Sequence, residues 1–369
     1  MEPIKPLVYT GIPEGYYVVG VVTPQYNCVA EKVVGEMSPY LKHQLVSLVI
    51  GNEENPRSLI EYLPEAILYL RCGTKVPTNP NILVNVDVHI NYFRSMEIPV
   101  IYYLDDAFFH ANNFAPLKIL MNCDETIVAT QALVDYLIKA EYKRPIHLLK
   151  THVDIPIFDA VPPANAVINP NKFNILFTSE GRIGTMMLNR ICERMSQTPE
   201  KYKDCRIICL SSQVALLRSA INKWRGIEKV YFERVPLYEY YGMYKMSNLI
   251  LAPGEPGDLN YFLEATDQPT WLASKSCLKY TIAGAASLPC IASPWLKEYE
   301  MAMTHGETGY LANEIDEWMQ YIDLLINDPS KCKEIGHKAR EDVIKNWHIY
   351  ARAEQFANIL KGESTCKVQ

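Results

Sequence analysis

The sequence has no excess of positive charge, no long apolar run and no C-x-x-C cysteine pair. With 36 Lys and Arg against 42 Asp and Glu, the formal net charge is -6. Duplex nucleic acid draws on a basic balance, so this composition argues against such a partner. No apolar stretch nears bilayer-spanning length, and the opening MEPIKPLVYTGIPEGYY lacks a signal-peptide core. The expected setting is the cytoplasm, with membrane contact at most peripheral. Ten cysteines occur, none in C-x-x-C spacing, so the sequence offers no zinc motif. Scattered free thiols suit a reducing compartment, and Cys205 and Cys209, beside an apolar run, read as core residues. There is no internal repeat and no low-complexity tract.

The chain does have length and apolar content. Its 369 residues, 49% hydrophobic, suffice for two cores. Short apolar runs alternate with helical patterns, the signature of an α/β fold with parallel sheets. Strands are expected at residues 17–23, 44–50, 66–70, 100–104, 126–129 and 147–150, with helices ending near 41 and over 86–96 and 131–139. The Pro-, Ala- and Asn-rich stretch 159–171 reads as a linker. The pattern then restarts with strands at 173–178, 206–210, 229–232 and 249–252 and helices at 187–195 and 237–246. Helices at 315–326, 331–345 and 351–361 close the chain before a loose tail. The expected division is a first domain over 1–160, a second over 161–346, and a final helix with tail over 347–369.

The most informative stretch is 274–309, SKSCLKYTIAGAASLPCIASPWLKEYEMAMTHGETG. Lys275 and Lys279 are four apart and share one face of a helix that starts here. Ser274 and Ser276 stand where a capping hydroxyl belongs. Leu278, Ile282 and Ala285 form a second, apolar face, and Ser287-Leu288-Pro289 ends the helix before the short strand Cys290-Ile291-Ala292. A helix N-terminus with free N–H groups, a hydroxyl and two ammonium groups suits an anion with several oxygens, such as a diphosphate. The plain structural alternative is a surface helix with two solvated lysines.

That string resembles the C-terminal domain of retaining glycosyltransferases of family 4. The pieces that carry the resemblance are Lys275-Ser276, Lys279-Tyr280, the alanine-rich 283–286, Ser287-Leu288-Pro289, the strand 290–293 and the turn His305-Gly306-Glu307-Thr308-Gly309. The similarity continues through Trp318, Asp328-Pro329, Ala339-Arg340 and Val343. It implies the GT-B architecture: two facing Rossmann-like domains with a cleft between them, an acceptor side in the first and a nucleotide-sugar donor side in the second. The last helix, from about Trp347, would cross back to the first domain. The implied reaction moves a sugar, with retention of configuration, from a nucleotide-diphosphate donor to a hydroxyl of a carbohydrate, lipid-linked or other glycoconjugate acceptor. The donor is a substrate; the resemblance implies neither a cofactor nor a bound metal.

The resemblance also assigns roles. In FTSEGRI, residues 177–183, Arg182 is the arginine that family members place on the diphosphate, while the lysine usual five residues later is Met187 here. An ordinary loop arginine is the alternative. Glu180 would shape the loop or touch the sugar. Asp105 and Asp106 end a first-domain strand and His110 follows. Neighbouring side chains point opposite ways, so one carboxylate would face the ligand. That carboxylate or His110 would orient the acceptor hydroxyl or take its proton; a helix cap or loop ion pair is the alternative. Asp87 and His89 read as structural, as does the His305–Gly309 turn. Two glutamates that many members space seven residues apart fall here on Ser274 and Ile282. An isoleucine cannot hold a ribose diol, and Glu264 is a conceivable substitute. Three functional readings therefore stand: a glycosyltransferase, a binding or scaffold protein on the same fold without turnover, and a sugar-nucleotide epimerase.

Overall fold

The computed structural model describes residues 15–23, 36–52, 56–70, 81–105, 115–164, 171–179, 183–233, 235–255 and 272–364. The chain divides into two compact units, Met1–Lys150 with Ile349–Gln369, and Thr151–His348.

In the first unit, β1 (Tyr17–Thr23), β2 (Val46–Asn52), β3 (Ala66–Leu70), β4 (Val100–Leu104), β5 (Glu125–Val128) and β6 (Ile146–Leu148) form one sheet in the order β2-β1-β3-β4-β5-β6. All pairs are parallel. Parallel strands are covered on both faces, which is why β3 and β4 are unbroken apolar runs buried throughout. The helices are α1 (Ser38–His43), α2 (Asn81–Ser95), α3 (Ala115–Asn122) and α4 (Gln131–Lys139), the last capped by Thr130, whose hydroxyl accepts from Leu133 N–H.

The second unit opens with α5 (Ile155–Ala160), capped by Asp154. Its sheet contains β7 (Phe173–Ser179), β8 (Cys205–Ser211), β9 (Glu228–Phe232), β10 (Leu249–Ala252), β11 (Cys290–Ala292) and β12 (Tyr310–Leu311), in the order β12-β11-β10-β7-β8-β9. These strands too are all parallel. Alternate residues feed two cores: Leu176, Ile208, Leu210 and Ile250 pack on one face, and Ile175, Phe177, Ile207, Cys209 and Leu251 on the other. The helices are α6 (Thr185–Gln197), α7 (Val214–Ile221), α8 (Leu237–Lys245), α9 (Leu278–Ala285), α10 (Lys297–Ala302), α11 (Ile315–Asn327) and α12 (Pro329–Asn346).

The final helix, α13 (Ile349–Leu360), belongs to the first unit. Phe356, Ala357, Ile359 and Leu360 join the core beneath β1 and β4, and Gln355 donates to the Leu148 carbonyl at 2.7 Å. The division between units falls at Lys150/Thr151, earlier than the 160/161 break expected from composition. The proline-rich stretch begins as part of the second unit. Ala164 N–H donates to Gly242 O at 3.1 Å, and the Lys245 ammonium donates to Asp159 O at 3.0 Å. Sequence reading also missed α3, α5, α7, α10 and the two-residue β12. The helices among them run six or eight residues, so each shows only about two turns of pattern or less, too little to stand out.

Candidate functional site: the carboxyl edge of the second sheet

The strand order of the second unit fixes where a ligand fits. The chain steps outward from β7 through β9, returns to the other side of β7 for β10, and continues outward through β12. The reversal between β7 and β10 opens a crevice at their carboxyl ends, the ligand position of doubly wound sheets. Thr178 and Ser179 close β7 there, and Ser179 Oγ donates back to Ile183 O at 3.1 Å. Gly184 then opens α6 at φ 75°, and a Cβ on it would lie 2.7 Å from the Pro253 carbonyl oxygen, so only glycine brings α6 this close to the β10 loop. Arg190 of α6 pairs with Glu255 of the same loop.

Helix α9 connects β10 to β11. Because those strands are parallel, α9 runs against them and its N-terminus lies at the carboxyl edge. This is where the sequence placed its anion site, and the local geometry differs from the expectation. The helix begins at Leu278, its N-cap is Cys277 without a side-chain cap bond, and Thr281 N–H donates to Cys277 O at 3.1 Å. Lys275 therefore precedes the helix, and its N–H donates to Leu272 O at 3.1 Å. Ser274 is fully buried, and neither it nor Ser276 caps α9. Burial sets the start: Cys277, Tyr280 and Ile282 all go into the core, which outweighs the capping preference of a serine. Lys275 and Lys279 share no helix face, yet with Ser276 they stay half-buried in one short segment entering α9.

One of the free N–H groups at this helix start is already used. The backbone N–H of Lys279 bonds the hydroxyl oxygen of Tyr299 on α10, and burial pushes that phenol well above its ordinary range. Nothing in the sequence signals this cap, since its two residues lie on different elements. A second network sits at the end of β7, where the Tyr240 hydroxyl lies 3.2 Å from Thr178 Oγ1 and 3.0 Å from the Tyr244 hydroxyl. Buried and half-buried tyrosines of α8 and α10 thus brace the end of β7 and the start of α9.

The His305–Gly309 turn has the structural role expected of it. Gly306 has φ 79°, its N–H donates to Gly309 O at 2.8 Å, and Thr308 Oγ1 accepts from Thr304 N–H at 2.9 Å. His305 Nδ1 accepts from Leu311 N–H at 3.1 Å, which assigns the ring proton to Nε2, 3.4 Å from the Tyr321 hydroxyl. The Thr308 side chain also bonds Tyr280 of α9, so the turn and the lysine helix form one packed piece.

Ile282 and Met187 are both buried in the core of this unit. They do not face the crevice as a glutamate or lysine there would. In the first unit Asp105 directly follows β4, half-buried at the carboxyl edge one strand from the β1/β3 reversal. Burial and its charge push the Tyr103 phenol up. Asp106, His110, Glu180, Arg182 and Glu264 lie outside the described residues, as does the side chain of Asp87. His89 is held below the ordinary histidine range by burial and by Arg57. Among the described residues no His, Cys, Asp and Glu side chains gather as a metal-binding group, and no helix is long and apolar enough to cross a membrane.

Comparison with known proteins places this fold. No protein-family model matches the chain. Among solved structures, sucrose-phosphate synthase from Thermosynechococcus elongatus superimposes with a TM-score of 0.67 at 11% identity, covering 94% of this chain and 98% of that one. HepE from Anabaena, in complex with UDP and glucose, gives 0.63 at 14% identity over 94% and 100%. A glycosyltransferase from Rickettsia africae gives 0.62 at 13% identity over 95% and 100%. The fold is the GT-B fold of these glycosyltransferases. The trehalose synthase of Pyrococcus horikoshii is 27% identical over 219 residues, which span 53% of this chain and 52% of that protein.

Proposed function

We propose that the chain is a retaining family 4 glycosyltransferase that moves a sugar from a nucleoside-diphosphate donor to a hydroxyl acceptor. The observation that carries this reading is the position of Lys275, Ser276 and Lys279 at the α9 N-terminus, on the carboxyl edge of a sheet whose strand order reverses beside it. The likeness to HepE, solved with UDP and glucose, supports the donor class.

The chemistry asks for charge stabilisation more than covalent work. As the anomeric carbon–oxygen bond breaks, negative charge grows on the diphosphate. Fixed ammonium groups and the remaining α9 N–H dipoles meet that charge without reorganising. Each hydrogen bond to a charged group contributes about 1.5 to 3 kcal/mol. Arg182 would add a further cation to the diphosphate. On the first unit, Asp105, Asp106 or His110 would hold the acceptor hydroxyl and take its proton. The acceptor is a carbohydrate, lipid-linked or other glycoconjugate hydroxyl.

The test is incubation with UDP-, GDP- and dTDP-sugars and a panel of glycan and glycolipid acceptors, with the anomeric configuration of the product read by NMR. Transfer with retained configuration is the expected result; inverted product removes the family 4 reading. A second reading, nucleotide binding without turnover, is favoured by the burial of Ile282 and Met187, which leaves two customary ligand positions apolar. Tight nucleotide binding with no product from any acceptor would select it. Conversion of the free nucleotide sugar without acceptor would select the epimerase.

A further inference from the structure

The turn after β11 holds a tryptophan out in solvent at the edge just described. Trp295 is 40% exposed, although its neighbours Ser293 and Leu296 are buried. The second core does accept a whole indole elsewhere, since Trp318 is fully buried. Trp295 is kept out by its backbone. Ser293 N–H donates to Ala252 O at 3.1 Å, at the end of β10, and Leu296 N–H donates to Ser293 O at 3.1 Å. Leu296 then packs down on the β10 loop so closely that a Cβ on Gly254 would lie 2.9 Å from Leu296 Cδ2. The turn is thereby seated on the loop that forms one wall of the crevice, on the same side of the β7/β10 reversal as α9.

We propose that Trp295 is a stacking platform for a pyranose ring; this deepens the reading above and rests on it. An indole offers a flat apolar face that covers the C–H face of a sugar, plus an Nε1–H that reaches a sugar hydroxyl. With only two side-chain torsions and a fixed turn beneath it, ordering it on a ligand costs little. A diphosphate held at Lys275 and Lys279 puts its attached sugar, or the sugar that receives transfer, on this side of the crevice. Either source has the same chemistry.

The test uses the full chain, 15N-labelled, with the Trp295 indole resonance assigned by its loss in Trp295→Phe. UDP-glucose, GDP-mannose and dTDP-glucose are each titrated against their bare nucleoside diphosphates, and maltotriose is titrated alone. The platform predicts that a sugar-bearing ligand moves the Trp295 signal and that its diphosphate does not. Trp295→Ala then weakens that ligand about fivefold while leaving the diphosphate affinity and the melting temperature unchanged. A response to a nucleotide sugar identifies the donor ring, and a response to maltotriose an acceptor ring. If no sugar moves the signal, or a bare diphosphate moves it equally by base stacking, the proposal is overturned. If no nucleotide binds but maltotriose moves Trp295, the platform stands and the transferase reading falls.

Discussion

The Tyr280 hydroxyl donates to the Asp342 carboxylate across 2.6 Å, tying α9 to α12 directly beside Lys279. The same carboxylate accepts from Trp347 Nε1 at 3.2 Å and Asn346 Nδ2 at 2.7 Å. Burial, and then the bond to this acid, push the Tyr280 phenol up, so it donates at every physiological pH. Tyr280→Phe removes one donor from a carboxylate that keeps two. Its cost should be about 1 to 2 kcal/mol in chemical denaturation. Asp342→Ala strands all three donors and should cost more than Tyr280→Phe. Equal losses would mean that the carboxylate does not organise the junction.

How far the sequence discloses this arrangement depends on the range of the interaction. Strands such as β3 and β4 are legible because both faces are buried and the apolar run is unbroken. The lysine segment is legible as a helix entry, but its start is not, because Cys277 and Tyr280 must be buried together and that demand comes from α12 and the His305–Gly309 turn. The Tyr299 cap and the Arg190–Glu255 pair join different elements, and no local pattern announces either. Trp295 was visible in the string, but its exposure follows from Leu296 packing on Gly254.

Two helix ends in the first unit place glutamates where glycine is the easier residue. Glu97 has φ 61° and Glu141 φ 56°. Each sits at the left-handed position of a paired closing bond: Ile98 N–H to Phe93 O at 3.1 Å, and Tyr142 N–H to Leu137 O at 3.0 Å. The left-handed conformation costs an L-residue about 1 to 2 kcal/mol, partly offset by the extra freedom glycine has in the unfolded chain. Both side chains are exposed, so Glu97→Gly and Glu141→Gly should each stabilise by about 0.5 to 1 kcal/mol, read as a higher denaturation midpoint at unchanged slope.

Arg206 is buried on β8, and Glu228 on β9 meets it at 2.5 Å while also holding Lys172 at 2.6 Å. The Nε and Nη1 atoms of Arg206 have no partner of their own, so the Glu228 charge is what makes this guanidinium tolerable. Lys172 first, and then Arg206, hold the Glu228 carboxyl below its ordinary range. A depressed acid stabilises the fold while ionised in both states, and that stabilisation drains as pH falls through the ordinary glutamate range toward its lower folded value. Glu228→Gln should cost about 1 to 3 kcal/mol at neutral pH and should flatten the acid limb of a stability–pH curve. An acid limb identical to that of the parent chain would assign the pH dependence elsewhere.

Tyr299→Phe tests the cap on α9. It keeps the ring in the core and removes only the oxygen that accepts from Lys279 N–H. A buried helix-start N–H left unpaired costs about 1 to 3 kcal/mol, so stability should fall. Nucleoside-diphosphate affinity should not fall with it, because the freed N–H points from the same helix start at which the anion is proposed to sit. A loss of affinity larger than the loss of stability would show that Tyr299 itself touches the ligand.

Lys275 and Lys279 test the proposed chemistry most directly, and their different settings predict different responses. Lys279 sits in the first turn of α9, where its charge adds to the helix dipole. Lys275 stands in the irregular segment before it, its N–H turned back onto the Leu272 carbonyl. If both ammonium groups meet charge that develops during bond breaking, Lys275→Ala and Lys279→Ala each lower kcat by about 10- to 100-fold, the equivalent of one charge-assisted hydrogen bond, with a smaller change in KM. Lys275→Arg should restore part of the rate, since a position ahead of the helix leaves a longer cation more ways to reach the anion. Lys279→Arg should restore less, because a helical position fixes where the guanidinium can reach. If Lys275→Ala keeps normal kcat and KM, the anion is held by other groups.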